Sequence, residues 1–408
     1  MFRFLAPAGA PLEISQILHS VSLAASRNQT AEECYETFAS RLKVRHVLGV
    51  SSGRAALWLI LEGIHRLRPD RSVVAVPAYT CFTVAASVVR AGLRVYPLDI
   101  NPETLDVDPS QLGALPQEQL LCILTSNLFG FVNEASHLRE AAGAKGAFLV
   151  DDAAQALGST RNGQQAGMLG DVGFYSFGRG KALATVEGAI IVTNSTEIAS
   201  TIQSLEEKLP ASSAGHSAWL VFRMLVYAVF LHPRLYWIPD SLPFLGLGTT
   251  EFAPDFRTFS LPRVVQGLLP QLMDRLQEMN RIRRENSVYL AQALQGSLGF
   301  TIPRPGPDCQ PNYVRFPVIA RDEATRDQAV KRLRRAGIGA SAFYPSAICD
   351  IPGIDRYMAT ADFHCPRAED LSRRLLTLPI HPFVRGEDLR RMIAVLNDMQ
   401  LVAQTREA

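Results

Sequence analysis

Six short apolar runs recur through the first half of the chain, and their spacing narrows the accessible folds more than any other feature. VVAVP from Val73, LRVYPL from Leu93, LLCILTS from Leu120, AFLVDD from Ala147, VGFYSF from Val172 and AIIVT from Ala189 are separated by helical or loop segments. Runs of this length with little polar alternation suit strands buried on both faces, which implies a mainly parallel sheet covered by helices, an α/β fold. From Ser260 the pattern changes. Leu269, Leu272, Leu276 and Met279 recur at helical spacing in a long amphipathic helix expected to pack between domains. NYVRFPVIA, a helix across Thr325 to Ala336 and a final helix around Gly386 to Leu401 then complete a smaller α/β domain. The expected division is a large domain over 1–259, followed by the connecting helix and small C-terminal domain over 260–408. A chain of 408 residues is ample for both cores.

In such a sheet, ligands gather beyond the carboxyl ends of the strands, where Asp152 and Lys181 both fall. Lys181 sits in GFYSFGRGKALATVEG, a glycine-flanked loop after the strand expected at Val172 to Phe177. That loop can hold an amine against a cofactor aldehyde. Asp152 in FLVDDAAQALGS can face a pyridine nitrogen, and a carboxylate there favours the protonated ring that draws electrons from a substrate carbon. Taken singly, each residue has a plainer explanation. Lysines after glycine are usually solvated, and DDAAQA also reads as a helix start with its acids at the positive dipole end. Gln155, one helical turn beyond Asp152, and Ser176, just before the loop, complete a set that points to pyridoxal phosphate (PLP). A nucleotide-hydrolase phosphate loop is excluded, because Gly180-Lys181 is followed by Ala182 and lacks the upstream glycine.

The order of motifs along the chain resembles the DegT/StrS family of sugar aminotransferases, within the fold-type-I PLP enzymes. SSGRAALWL from Ser51, VAVPAYTCFTVAAS, DINPETLDVD from Asp99, DDAAQALG, GDVGFYSFGRGK and LPIHP from Leu378 follow the family's sequence of elements. The resemblance implies that Lys181 carries the cofactor, that Asp152 partners the pyridine nitrogen and that Gln155 lies near the phenolic oxygen. It also implies a phosphate site made of Ser176 and the Gly53-Arg54 turn at the start of a helix from Ala55 to Arg66. The implied reaction moves an amino group from an amino acid, glutamate by analogy, to a keto-sugar, nucleotide-linked by analogy. Family relatives without the lysine catalyse dehydration, so Lys181 favours transamination. A PLP lyase or aldolase would use the same constellation, and a noncatalytic membrane-associated regulatory protein would have no need of it.

Several positions depart from the family pattern. Arg54 stands where threonine is usual, either adding a phosphate contact or pointing to solvent. The aromatic that commonly stacks on the ring aligns near Cys81, leaving that role to Tyr79, to Phe82 or to simple contact. Beyond the lysine, Gly-Glu-Gly-Gly becomes Val186-Glu187-Gly188-Ala189. Arg257 in EFAPDFRTFSLPRV replaces an asparagine that in relatives reaches the neighbouring subunit's phosphate. It is expected either to complete the site across a homodimer or to be a surface arginine. Tyr344 and His381 fall near the substrate by family position, although a histidine between proline-bounded turns is more often structural.

Residues of about 210–255 read as an insertion, with AWLVFRMLVYAVFL over Ala218 to Leu231 followed by HPRLYWIPDSLPFLGLG. A spanning helix needs about 20 apolar residues, whereas this run contains Arg223 and is broken by Pro233. Trp219, Tyr227, Tyr236 and Trp237 beside Arg223, His232 and Arg234 suit an interfacial segment over 218–238, which would admit a lipid-linked acceptor. The alternative is a helix buried at a subunit interface. A net charge of +2 with scattered cations gives no support to nucleic-acid binding. The six cysteines have neither CxxC nor metal spacing and read as reduced thiols, with no metal site. The start lacks a signal-peptide core, so a cytoplasmic protein, in contact with membrane through 218–238 on the interfacial reading, is expected.

Overall fold

The structure, a computed structural model, describes residues 3–26, 31–242, 248, 250–297, 299–361 and 363–407, with side chains described as far as Met399. Residues 243–247 and 249 of the expected insertion lie outside the described residues. In chain order the strands are β1 (His46–Val50), β2 (Val73–Pro77), β3 (Arg94–Leu98), β4 (Leu120–Leu124), β5 (Phe148–Asp152), β6 (Thr160–Arg161) and β7 (Gln164–Gln165). They continue as β8 (Val172–Ser176), β9 (Ala189–Thr193), β10 (Phe300–Thr301), β11 (Cys309–Gln310), β12 (Phe316–Ala320) and β13 (Leu375–Leu378). Seven of them build one sheet in the order β1-β9-β8-β5-β4-β2-β3. Only β9 runs against its neighbours, so the carboxyl ends of the other six share one edge.

Helices α1 (Ile14–Ser26) and α2 (Ala31–Leu42) precede the sheet, and α3 (Gly53–Leu67), α4 (Phe82–Arg90), α5 (Ala135–Ala144) and α6 (Thr196–Glu206) accompany its strands. After it come α7 (Ala214–Phe230), α8 (Trp237–Asp240) and the long α9 (Arg263–Ala293). One sheet face packs against α3, α4 and α6, the other against α1, α2, α7 and α9. Burial on both sides explains the apolar strand sequences: every residue of β2, β4 and β9 is buried. At the start of α3, the Ser52 side chain accepts from the Ala55 amide at 3.3 Å, and His65 and Arg66 occupy the last turn, where the dipole favours them.

The second domain pairs β10, β12 and β13 with α10 (Glu323–Arg335), α11 (Pro366–Arg374) and α12 (Gly386–Glu407). Its core also takes Leu5, whose amide donates to the Gly337 carbonyl at 2.8 Å. Helix α9 belongs to both cores: Val264 to Met279 pack beneath the large sheet, while Leu290 packs into the small domain. A helix of roughly 46 Å at 1.5 Å per residue reaches across both layers, so the two cores meet along α9.

DDAAQA does not start a helix. Asp152 ends β5, and its Oδ1 accepts from the Ala154 amide at 2.9 Å in a short turn. Successive turns follow, from the Ala156 amide to the Ala153 carbonyl and from the Ser159 amide to the Ala156 carbonyl, closing at Gly158 with φ +82°. An aspartate that would cap a helix caps a turn equally well.

Gly173 in β8 has no room for a side chain. A methyl group there would press on the Gly167 carbonyl oxygen and lie 3.0 Å from the Asp151 carbonyl oxygen. Gly173→Ala is expected to destabilise the protein by roughly 1–3 kcal/mol in urea unfolding. Gly143→Ala, in the exposed part of α5 with nothing near its added methyl, is expected to be neutral or stabilising by up to ~1 kcal/mol. Equal midpoints for the two variants would refute the close-packing argument.

Candidate active site

Side chains alternate along a strand, so the two carboxylates that end β5 point to opposite sides. Asp151 faces inward and is fully buried. It accepts from Thr125 Oγ1 at 2.6 Å, Asn127 Nδ2 at 2.7 Å, and the amides of Gly167 at 2.6 Å and Leu169 at 2.9 Å. Asp152 faces the sheet's carboxyl edge. Thr125 Oγ1 accepts from its amide at 3.1 Å and Asn127 Nδ2 donates to its carbonyl at 2.8 Å. Burial raises the Asp152 carboxyl to about 6, against the opposing pull of the Ala154 amide and Lys181.

The loop from Phe177 to Gly188 presents Lys181 to the same edge. It is closed by bonds from the Thr185 amide to the Phe177 carbonyl at 2.8 Å and from the Phe177 amide to the Gly188 carbonyl at 2.9 Å. The Gly188 amide ties it to the Ser51 carbonyl at 2.7 Å. Gly180, at φ +79°, makes the turn before the lysine. Arg283 of α9, buried without a carboxylate partner among the described residues, donates to the Ala182 carbonyl at 3.0 Å and the Gly9 carbonyl at 3.3 Å. Glu187 is held from α7 by His216 Nε2 at 2.8 Å and by Arg223. Burial lowers the Lys181 amine; Cys81 and Asp152 oppose that shift, and the Arg315 charge reinforces it.

Free backbone amides that could hold an anion lie at the start of α3. The first intrahelical bond runs from the Ala56 amide to the Ser52 carbonyl, so the Gly53 and Arg54 amides precede it at the positive end of the helix. Ser176, ending β8, lies beside Gly53: a methyl group at Gly53 would meet its Cβ and Oγ at 3.0 Å. Lys181, Asp152, Ser176 and Gly53 therefore stand on neighbouring strand ends and the helix beside them.

Other expected residues stand differently. The Arg54 guanidinium is exposed, 5.4 Å from the centre of the Phe256 ring. Gln155 donates from Nε2 to the Tyr344 hydroxyl at 3.0 Å, and its Oε1 accepts from the Phe129 amide at 3.2 Å. Tyr344 is buried, packed edge-on against Tyr79 with centroids 5.6 Å apart. Tyr79 itself is fully buried, and Phe82 belongs to the core shared with α3. Cys81 is the member of that segment whose charge acts on the Lys181 amine. Arg257 is exposed. His381 differs from its expected place near substrate: it is fully buried, with Nε2 donating to the Ala6 carbonyl at 3.0 Å and Nδ1 accepting from the Phe383 amide at 3.3 Å. Nε2 thus holds the chain's beginning to the small domain, and Nδ1 closes the turn to Phe383. All six cysteines are free thiols.

Sequence reasoning passed over Asp151, Arg283 and Arg315. Strand alternation was the available signal for Asp151. A single arginine within a helix or before a strand carries no comparable mark.

The profile of the DegT/DnrJ/EryC1/StrS aminotransferase family matches residues 13–215 and 267–397. Nearly all of α7, and Arg257, fall between the two matched blocks. The chain is 25% identical over 356 residues to the UDP-N-acetyl-3-dehydro-alpha-D-glucosamine 3-aminotransferase of Acidithiobacillus ferrooxidans, covering 86% of this chain and 84% of that one. It is 26% identical over 372 residues to the GDP-perosamine synthase of Caulobacter vibrioides, covering 90% and 89%. Its fold is similar to that of the Escherichia coli GDP-4-keto-6-deoxy-D-mannose-3-dehydratase solved with bound hydrated PLP, with a TM-score of 0.77, 19% identity and coverage of 97% and 100%.

Burial lowers His381 to about 4, against an ordinary histidine value of 6.5. A depressed folded value means that the stabilisation is complete above pH 6.5 and is lost as pH falls through about 4, because the unfolded chain then binds the extra proton. From pH 7 to 4 the wild type is expected to lose about 3 kcal/mol more than His381→Gln in urea unfolding. Identical pH slopes would contradict the buried neutral ring.

Proposed function

The chain belongs to the DegT/DnrJ/EryC1/StrS aminotransferase family, and from that premise we propose that it uses PLP to transfer an amino group from an amino acid, glutamate by analogy, to a keto-sugar. Relatives named for UDP- and GDP-linked sugars favour a nucleotide-linked acceptor. The observation that carries the reading is the convergence of a half-buried amine, a half-buried carboxyl and the free amides at the start of α3 on one sheet edge.

These residues fit the cofactor. The Gly53 and Arg54 amides and Ser176 Oγ would hold its phosphate, and Asp152 its ring nitrogen. When bound, PLP supplies an electron sink for the substrate carbon. Asp152 would pair with a protonated ring nitrogen, and that positive charge would favour the ionised carboxyl against the pull of burial. Lys181 Nζ, shifted toward the neutral amine, takes the proton at the donor's α carbon. Gln155 and Tyr344, bonded to each other, would line the cofactor site on the side of the small domain. Lysine at 181 favours transfer over dehydration. Arg257, exposed, is assigned to the partner subunit's phosphate in a homodimer.

Borohydride reduction of protein loaded with PLP, followed by peptide mass mapping, is expected to place the adduct on Lys181. Lys181→Ala is expected to lose the adduct and to slow transfer by about 10²–10⁴. An adduct on another lysine, or protein that stays colourless after soaking in PLP, overturns the assignment.

A second reading concerns α7. No helix among the described residues is long and apolar enough to cross a membrane. Leu220 and Met224 face the core, while Trp219, Phe222, Val226 and Val229 form an exposed stripe, with Trp219 and Phe222 stacked at 5.3 Å. Ile14 and Leu18 of the adjoining α1 and Trp237 are also exposed, with Arg234 beside Trp237. Aromatic rings with a cationic neighbour suit the surface of an anionic bilayer, which would bring a lipid-linked acceptor within reach. The protein is expected to float with liposomes containing anionic lipid, and the double variant Trp219→Ser/Phe222→Ser to remain at the bottom. A wild type that dimerises through the stripe and does not float refutes this reading.

A further inference from the structure

Arg315 lies against the loop that carries Lys181 and has no carboxylate partner among the described residues, and we infer that it binds the α-carboxylate of the amino donor. The inference rests on the aminotransferase reading above.

Arg315 is half-buried at the entrance to β12. Its Nη1 donates to Ser341 Oγ at 2.9 Å, and that hydroxyl lies 3.1 Å from Thr377 Oγ1. Backbone bonds between Ser341 and Thr377, at 2.8 and 3.3 Å, fix the anchor. The guanidinium lies 5.2 Å from the centre of the Phe343 ring. Its Nη2 is 3.7 Å from the point that a methyl group on Gly180 would occupy, so the missing side chain at 180 keeps the space beside Lys181 open. The acidic side chains acting on it most are the phenols of Tyr344 and Tyr236. The buried arginines differ. Arg283 spends its fork on carbonyl oxygens and the Asn280 side chain, and Arg326 and Arg161 pair with carboxylates.

The Arg315 charge disfavours the protonated form of Lys181, and an anion bound between the two groups would offset that repulsion. Of the two reactants, the amino donor must bring its α carbon to Lys181, and its carboxylate is one bond from that carbon. A planar fork suits a carboxylate held in two parallel bonds. A phosphate on the acceptor has the same charge chemistry, but in a nucleotide-linked sugar it lies several bonds from the reacting carbonyl carbon, whereas Arg315 lies against the lysine loop.

The test is the first half-reaction of PLP-loaded enzyme, without acceptor, using L-glutamate and 4-aminobutyrate, which is glutamate without its α-carboxylate. In wild type glutamate is preferred. Arg315→Gln is expected to reduce that preference by about 100-fold, Arg315→Lys by less, and Ser341→Ala, which frees the fork, by about 10-fold. Calorimetric binding of 2-oxoglutarate is expected to weaken in the same order, with unchanged thermal melts establishing folding. An unaltered preference in Arg315→Gln overturns the inference, as does a defect confined to the second half-reaction with the sugar. Failure of PLP to attach to Lys181, visible before any donor is added, overturns the aminotransferase reading and this inference with it.

Discussion

Burial pushes the amine of Lys181 and the carboxyl of Asp152 in opposite chemical directions but toward the same state, neutrality, and the rest of the sheet's carboxyl edge is organised around that fact. A solvated lysine is too firmly protonated to take a proton from carbon, whereas a buried one gives up its charge more readily. A buried aspartate waits in part protonated until a cation arrives to ionise it. The two also oppose each other's shift, so neither position can be understood alone. Parallel strands make this possible because their ends deliver several side chains to one rim while their flanks stay dry.

Holding an amine in such a place requires a loop with few alternatives. Phe177 to Gly188 is closed on itself by backbone bonds and tied to the core from two sides, by Arg283 at the Ala182 carbonyl and by His216 and Arg223 at Glu187. Arg283 is a costly choice, a buried cation without a carboxylate among the described residues, and burial lowers it to about 10. A carboxylate partner would satisfy it better but would also set a negative charge near the amine and hold Lys181 protonated. Carbonyl oxygens position the loop without that side effect.

The sheet was legible because strands buried on both faces must be apolar throughout, and the carboxyl-edge residues were legible because strand ends locate them. Lys181, Asp152 and Ser176 stand where the ends of β5 and β8 put them. What failed was local chemistry with two outcomes. Asp152 caps a turn rather than a helix, since its Oδ1 satisfies an amide two residues on in either case. His381 gave no sign of its burial, because its bond to the Ala6 carbonyl joins residues 375 apart in sequence. Arg315 and Arg283 were invisible for a related reason. A lone arginine in a sequence looks solvated, and only tertiary structure reveals which ones lack a carboxylate. The two cores meet along α9, whose periodicity runs unbroken through both.

Helix α7 joins these themes. Its inward side reaches Glu187 through His216 and Arg223, and its outward side is the apolar stripe of Trp219, Phe222, Val226 and Val229. The Tyr227 hydroxyl exchanges bonds with the Ala10 amide at 3.1 Å and the Ala10 carbonyl at 3.2 Å, while Arg283 holds Gly9 next to it and Ala182 next to Lys181. One rigid set of contacts thus runs from the exposed stripe to the lysine loop. A segment inserted only to cover a surface would not need to hold Glu187. Because it does, the exposed stripe lies on the same helix that helps to hold the loop carrying Lys181.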